Sequence, residues 1–199
     1  MKCFISFIIL SKKWEGEFEL GKEALIIVDM SNDFVADDGS LTAGKPAQEI
    51  VPYIVEQANK FLNDGQVVVV AMDAHEENDK HFELWPPHNI VGTKGQQLYG
   101  DLLTWLNEHE TNPNVLVQPK TNYNAFFKTG LAEKLRVLDV EKVHVVGVCT
   151  DICDFLTVAG ADAEGFKTAI HKKGVATFTD LGDTFINHMQ TCFFTEIIE

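Results

Sequence analysis

The sequence predicts an α/β fold with a mainly parallel sheet and helices on both faces. Three observations predict it. Short apolar runs rich in branched residues, such as "ALIIVD" (24–29) and "QVVVVAMD" (66–73), read as strands buried on both sides. Stretches with helical spacing alternate with them, which favours parallel strands joined by crossovers. Polar residues able to do chemistry follow the runs directly, where sheets of this kind carry their sites.

In chain order, 24–29 is the first strand. "PAQEIVPYIVEQANKFLNDG" (46–65) places Ile50, Ile54, Ala58 and Phe61 on one helical face, with Pro46 suited to a first turn and Gly65 to a stop. The run 66–73 is the second strand. An irregular stretch, 74–95, holds Pro86, Pro87 and Gly92. A helix is expected over 96–109, a third strand over 114–118, a helix over 130–139 and a fourth strand over 142–148. "TDICDFLTVAGADAEG" (150–165) reads as one helix, followed by a fifth strand (167–172). A last helix (181–194) and a sixth strand, "TEII" (195–198), complete the chain.

The 199 residues suit one domain, and a chain of this length buries a sizeable core without staples. The formal charge of −14 repels phosphate backbones and anionic lipid, so no nucleic-acid or membrane partner is expected. A small uncharged substrate is not excluded, and a homo-oligomer is left open. The four cysteines, Cys3, Cys149, Cys153 and Cys192, do not have the spacing of a disulfide framework, and Cx3C is not a zinc-knuckle or thioredoxin-like pattern. A reducing, cytoplasmic compartment is expected. Residues 1–23 form an N-terminal extension: an extra strand, a loop, a disordered tail or a weak signal sequence. Its apolar stretch is too short to span a bilayer.

The strand ends gather an acid at Asp29, a second acid followed by histidine at Asp73 and His75, a lysine at Lys120, and Cys149 with Cys153. Singly, Asp29 reads as a helix cap, Lys120 as a solvated charge and either cysteine as a small core residue. Their gathering at one sheet edge argues otherwise. Cys153 sits about one turn into the helix after the fourth strand, where the dipole favours thiolate and Lys120 would lower the thiol pKa further. It suits a nucleophile, with Asp29 able to take its proton. Cys149 lies at the turn itself and suits a backbone role. A second constellation, Asp73, His75, His81, Glu83 and His88, falls within sixteen residues and suits zinc, iron or manganese. Glu76, Glu77, Asp79 and Lys80 read as a solvated loop, and His109, His144, His171 and His188 as surface or packing residues. Cys192 reads as core.

From Ala24 to the C-terminus the chain resembles the isochorismatase-like cysteine hydrolases, and within them the nicotinamidases. The resemblance rests on "ALIIVDMSNDFVADDGSLTAGKP", "MDAHEEND", "PPHNIVGTKGQQLYGDL", "PKTNYNAF" and "VVGVCTDIC" in that order. It implies a three-layer α/β/α domain over 24–199. It implies Asp29 as general acid/base, Lys120 as the triad lysine and Cys153 as nucleophile. A cis peptide before Cys149 would turn the amides of Cys149 and Cys153 into an oxyanion hole. Asp73, His75 and His88 match ligands of one divalent metal, zinc first, with iron or manganese as alternatives. The fourth ligand is Glu83 or His81, with Glu83 favoured. Phe34 and Trp85 match an aromatic sandwich, with Tyr123 and Phe126 lining the pocket. The implied reaction is hydrolysis of nicotinamide to nicotinic acid and ammonia through a thioester, a step of NAD salvage.

Two departures stand out. The segment "DFLTVAGADAEG" after Cys153 replaces residues that are often apolar in the family, and Gly160 there would loosen packing or alter a dimer surface. The extension before Ala24 has no family counterpart. The alternatives are an amidase for N-carbamoyl or ureido compounds, a catalytically silent metal-binding module on the same fold, and a redox sensor using Cys149 and Cys153.

Overall fold

The computed structural model describes residues 21–199, so the expectations placed on residues 1–20 lie outside the described residues. Six strands form one sheet: β1 (Lys22–Val28), β2 (Val67–Asp73), β3 (Val115–Lys120), β4 (Val140–Val148), β5 (Lys167–Ala176) and β6 (Glu196–Ile198). Their spatial order is β3-β2-β1-β4-β5-β6, and every pairing is parallel. The chain builds outward from β1 through β2 to β3, then returns to the other side of β1 with β4. That reversal makes the β1/β4 junction the switch point, where a crevice opens beyond the strand ends. β1 begins at Lys22, so two residues assigned to the extension belong to the sheet.

The helices are α1 (Asn32–Val35), α2 (Lys45–Glu49), α3 (Val51–Asn63), α4 (Asp101–His109), α5 (Leu131–Val137), α6 (Phe155–Ala163) and α7 (Gly182–Phe193). Alternate side chains of each strand face opposite layers. Leu25, Ile27, Val68 and Val70 pack with Ile54 and Phe61 of α3 and Leu102 and Trp105 of α4. Ile26, Val69 and Val145 pack on the other face with Leu135 of α5, Val158 of α6 and Met189 of α7. This is the expected three-layer arrangement.

Several boundaries differ from expectation for local reasons. The helix expected over 46–65 divides at Ile50, because Pro52 has no N–H to continue the ladder. The helix expected from residue 96 starts at Asp101, after Gly100 takes φ +56°. The segment after β4 opens as a π-helical turn (Thr150–Asp154) before α6 begins. β5 runs on to Ala176 and pairs Val175 and Ala176 with Gly147 and Val148.

Gly147 has a specific cause. Its φ is +132°, and a Cβ there would lie 2.1 Å from the carbonyl oxygen of Val28. Only glycine lets β4 approach β1 this closely beneath the crevice. Gly160 does not loosen its surroundings. A Cβ there would lie 2.3 Å from the Asn124 side chain, so the amide fills the space. Asn124 Oδ1 also accepts the Phe126 N–H at 2.8 Å, and Thr157 Oγ1 accepts the Ala125 N–H at 3.1 Å. The loop after β3 is thereby fastened to α6.

Candidate active site

Each central strand delivers one functional group to the crevice. β1 leads directly into Asp29, which takes φ +55°, a left-handed conformation that aspartate tolerates better than most residues. Its Oδ1 accepts the Asp73 N–H at 2.9 Å, and its Oδ2 accepts from Lys120 Nζ at 2.6 Å. Lys120 Nζ also donates to Asp73 Oδ1 at 2.6 Å. β2 supplies Asp73 and β3 supplies Lys120, in register with each other. β4 leads through a cis Val148–Cys149 peptide into the π turn that carries Cys153, with Asp29 among the groups that act on its thiol.

The electrostatics follow from burial. Asp29, Asp73, Lys120 and Cys153 are all nearly inaccessible to solvent. Burial and the adjacent Asp73 carboxylate push the Asp29 carboxyl up to about 6, against the pull of Lys120. Burial opposes the charge on Lys120, but Asp29 and Asp73 outweigh it and hold the ammonium protonated above the ordinary lysine range. Burial also opposes ionisation of Asp73, yet Lys120 and the hydrogen bonds it receives hold it well below the usual carboxylate range. The expected thiolate is not the resting form. Burial pushes the Cys153 thiol well up and outweighs Lys120, so the resting pair is a neutral thiol beside Asp29. Burial, reinforced by Asp154 and Asp151, pushes Cys149 up to about 12.

A group of imidazoles adjoins this set. His75, His81 and His88 each offer a ligand atom, all within 4.8 Å of one another. Asp73 Oδ2 lies 3.7 Å from His75 Nε2 and 3.7 Å from His88 Nε2. His75 Nδ1 is bonded to Asp79 Oδ2 at 2.9 Å, and His88 Nδ1 to the Pro86 carbonyl at 2.7 Å. With Nδ1 committed in both rings, Nε2 is left facing the group. His75 Nε2 is buried and has no hydrogen-bond partner among the described residues. An orphaned imidazole nitrogen among two further histidines and a carboxylate fits a divalent metal of the zinc type. His81 enters this group, whereas Glu83 is exposed on the 3-10 turn Lys80–Glu83 and lies outside it. Asp79, grouped above with the solvated loop, instead orients His75.

The cleft between the two groups is lined by Phe34, Trp85, Tyr123, Cys149 and Cys153, with Asp73, His81 and His88 along one side. It encloses about 430 Å³ including the solvent in its open mouth. Trp85 Nε1 donates to Tyr123 Oη at 2.9 Å, which fixes two of the walls. Phe126 is not a wall. It is buried in the core against Phe166. Leu41, Ile152 and Phe178 line the cleft without having been singled out in the sequence. Asp33 is a further missed residue: its Oδ2 accepts the Asn89 N–H at 2.7 Å and so anchors the backbone beside His88. Only its place in "SNDF" one residue before Phe34 could have drawn attention to it.

One correction falls outside the crevice. Cys192 is exposed on α7, not in the core. His144 and His171 are buried in a hydrogen-bonded row: His144 Nδ1 to His171 Nε2 at 2.8 Å, and His171 Nδ1 to Tyr53 Oη at 2.9 Å. Among the described residues, no helix is long and apolar enough to cross a membrane.

Comparison with known proteins shows the family and agrees with the fold. The isochorismatase domain model matches residues 23–198. The crystal structure of nicotinamidase/pyrazinamidase PncA from Bacillus subtilis superposes with a TM-score of 0.87 at 39% identity, covering 89% of this chain and 100% of that one. The nicotinamidase/pyrazinamidase of Mycobacterium tuberculosis is 33% identical over 159 residues, 74% of this chain and 82% of the relative. The pyrazinamidase of Pyrococcus horikoshii, solved in complex with zinc, superposes with a TM-score of 0.79 at 26% identity, covering 89% of this chain and 99% of that one. The fold, the order of the strand-end groups and the match across nearly all described residues place this chain in the isochorismatase family.

Proposed function

We propose that this chain is a cysteine amidase that hydrolyses nicotinamide to nicotinic acid and ammonia. The observation that carries the reading is the buried Asp29–Lys120–Cys153 set at the base of an aromatic cleft bordered by the His75, His81 and His88 group. The comparison proteins named for nicotinamidase activity support it.

In this reading the pyridine ring of the substrate lies between Phe34 and Trp85. Asp29 takes the proton from Cys153 Sγ as the thiolate attacks the carboxamide carbon. An Asp29 carboxyl near 6 can hold that proton, and Lys120 stays charged beside it. The N–H groups of Cys149 and Cys153 receive the developing oxyanion. Asp29 returns the proton to the departing nitrogen, ammonia leaves, and a thioester remains on Cys153. Water then attacks the thioester, its proton passing to Asp29, and nicotinic acid is released with the thiol restored. His75, His81, His88 and Asp73 would hold one divalent metal, zinc first. Bound there, a metal supplies a Lewis acid that can hold a ring nitrogen and orient the carboxamide. The product would enter NAD salvage in the cytoplasm.

The test is ammonia release from nicotinamide by the wild type and by Cys153→Ala, each with its metal content measured. Turnover by the wild type alone, at equal metal content, is expected. A folded, metal-loaded wild type that releases no ammonia would overturn the reading. Ureido and carbamoyl amides would then be the next substrates to assay.

A further inference from the structure

Five of the cleft-lining residues come from the β4–β5 side: Val148, Cys149, Ile152, Cys153 and Phe178. Phe178 is the one aromatic among them, and the other aromatic walls come from the segments after β1, β2 and β3. It follows β5 in the segment 177–181 and is 54% exposed, so its ring stands at the mouth rather than in the core.

This segment is tied to the nucleophile's own turn. Thr177 Oγ1 donates to Asp151 Oδ1 at 2.6 Å, and Thr179 Oγ1 donates to Asp151 Oδ2 at 2.7 Å. The Thr179 N–H donates back to Thr177 Oγ1 at 3.3 Å, and the Leu181 N–H to Thr179 Oγ1 at 3.1 Å. Both oxygens of one carboxylate are therefore used to hold the residues on either side of Phe178. Asp151 lies in the π turn, two residues before Cys153.

We propose that Phe178 is a specificity-determining wall of the cleft, and that Asp151 is the positioning residue that fixes it through Thr177 and Thr179. The proposal rests on the amidase reading and adds the class of substrate admitted: single-ring aromatic amides, with ring-extended ones turned away. Ring binding covers an exposed phenyl face, so part of the substrate affinity comes from Phe178. Because the clamp starts in the turn that carries the nucleophile, the mouth and the reacting thiol keep a fixed spacing, which sets how far a ring can extend outward from Cys153.

The test compares wild type, Phe178→Ala, the pair Thr177→Val/Thr179→Val and the pair Thr177→Ser/Thr179→Ser on nicotinamide and on quinoline-3-carboxamide. Phe178→Ala should raise KM for nicotinamide about tenfold with kcat within about threefold. It should raise kcat/KM for the quinoline amide relative to nicotinamide by at least about tenfold. The valine pair should move both quantities the same way, and the serine pair, which keeps the hydroxyls, should stay near wild type. An unchanged preference in Phe178→Ala overturns the wall. A uniform loss of kcat on both amides in the valine pair overturns the clamp. A second readout needs no turnover: alkylation of Cys153 by iodoacetamide and by N-phenylmaleimide, followed by peptide mass spectrometry. Phe178→Ala should speed the bulky reagent relative to the small one, and an equal ratio overturns the wall. Absence of ammonia from the wild type would overturn the amidase reading, while the alkylation ratio still decides the wall.

Discussion

Asp154 follows Cys153 directly and is fully buried, and neither carboxylate oxygen has a hydrogen-bond partner among the described residues. Burial pushes its carboxyl well up, and the nearby Asp29 pushes it further, so it is held as a neutral acid. Replacing it by valine removes an unsatisfied buried polar group and keeps most of the volume. Such groups cost about 1–3 kcal/mol, so Asp154→Val should gain about 2 kcal/mol even at low pH, where the carboxyl is neutral in both states, and more at pH 7. In a chain of this size that is a rise of roughly 4–8 °C in Tm. The sign with pH is fixed by the raised folded pKa. Below the ordinary value of 3.8 the carboxyl is neutral in both folded and unfolded chains. As pH rises above it, the unfolded chain ionises while the folded one does not. The wild type then loses up to about 1.4 kcal/mol per pH unit until the folded carboxyl ionises too. Guanidinium unfolding of both proteins at pH 4.5 and pH 7, at unchanged m, should show a small gap that widens with pH. A gap that is absent at both pH values, or that favours the wild type, would show that the carboxyl is satisfied in solution and refute the argument.

Three further outcomes are expected. His81→Ala should lose bound metal or weaken it by about 10–100-fold, Asp79→Ala should weaken it in the same direction, and Glu83→Ala should leave one ion per chain, as measured by elemental analysis after dialysis. Burial pushes His144 and His171 each down to about 4 from 6.5, so both are neutral in the folded chain. The unfolded chain takes up protons first, so stability is intact above pH 6.5 and falls as pH drops toward 4, by up to about 1.4 kcal/mol per unit for each ring. NMR titration that found either imidazole charging near 6.5 would contradict this. Gly147→Ala should cost about 3 kcal/mol or more, because its Cβ meets backbone that cannot move aside, and a near-native Tm would show that β1 and β4 can separate.

The strand and helix alternation was readable because buried parallel strands leave continuous apolar runs, as in 24–29 and 66–73. The strand-end chemistry was readable for the same reason: a polar residue closing such a run, like Asp29 or Asp73, interrupts the pattern visibly. What the sequence did not show depends on contacts across the fold. Phe126 and Phe178 look alike as single aromatics, and only packing sends one into the core and the other to the mouth. The roles of Asp79 and Asp151 depend on which imidazole or hydroxyl reaches each carboxylate, and charge patterning alone assigns such residues to solvent. Cys153 was expected to be a thiolate from the helix dipole and Lys120, but complete burial, a property of the whole fold, outweighs both. Gly160 suggested looseness because its partner, Asn124, is 36 residues away in the chain.

Lys120 and Asp29 lie 91 residues apart, and Lys120 and Asp73 lie 47 apart. When β1 and β2 pair, they bring two carboxylates together at one buried edge, a juxtaposition that resists closure until a cation arrives. The cation comes only with β3, the outermost strand on that side. Lys120 would thus also act as a checkpoint in assembly. A chain caught before β3 docks would have an open sheet edge and two mutually repelling acids, and it would be biased toward protonating one of them instead of closing. In the proposed mechanism, activity and completion of this half of the sheet would be tied to the same ammonium group, and a partly folded chain would have no working site.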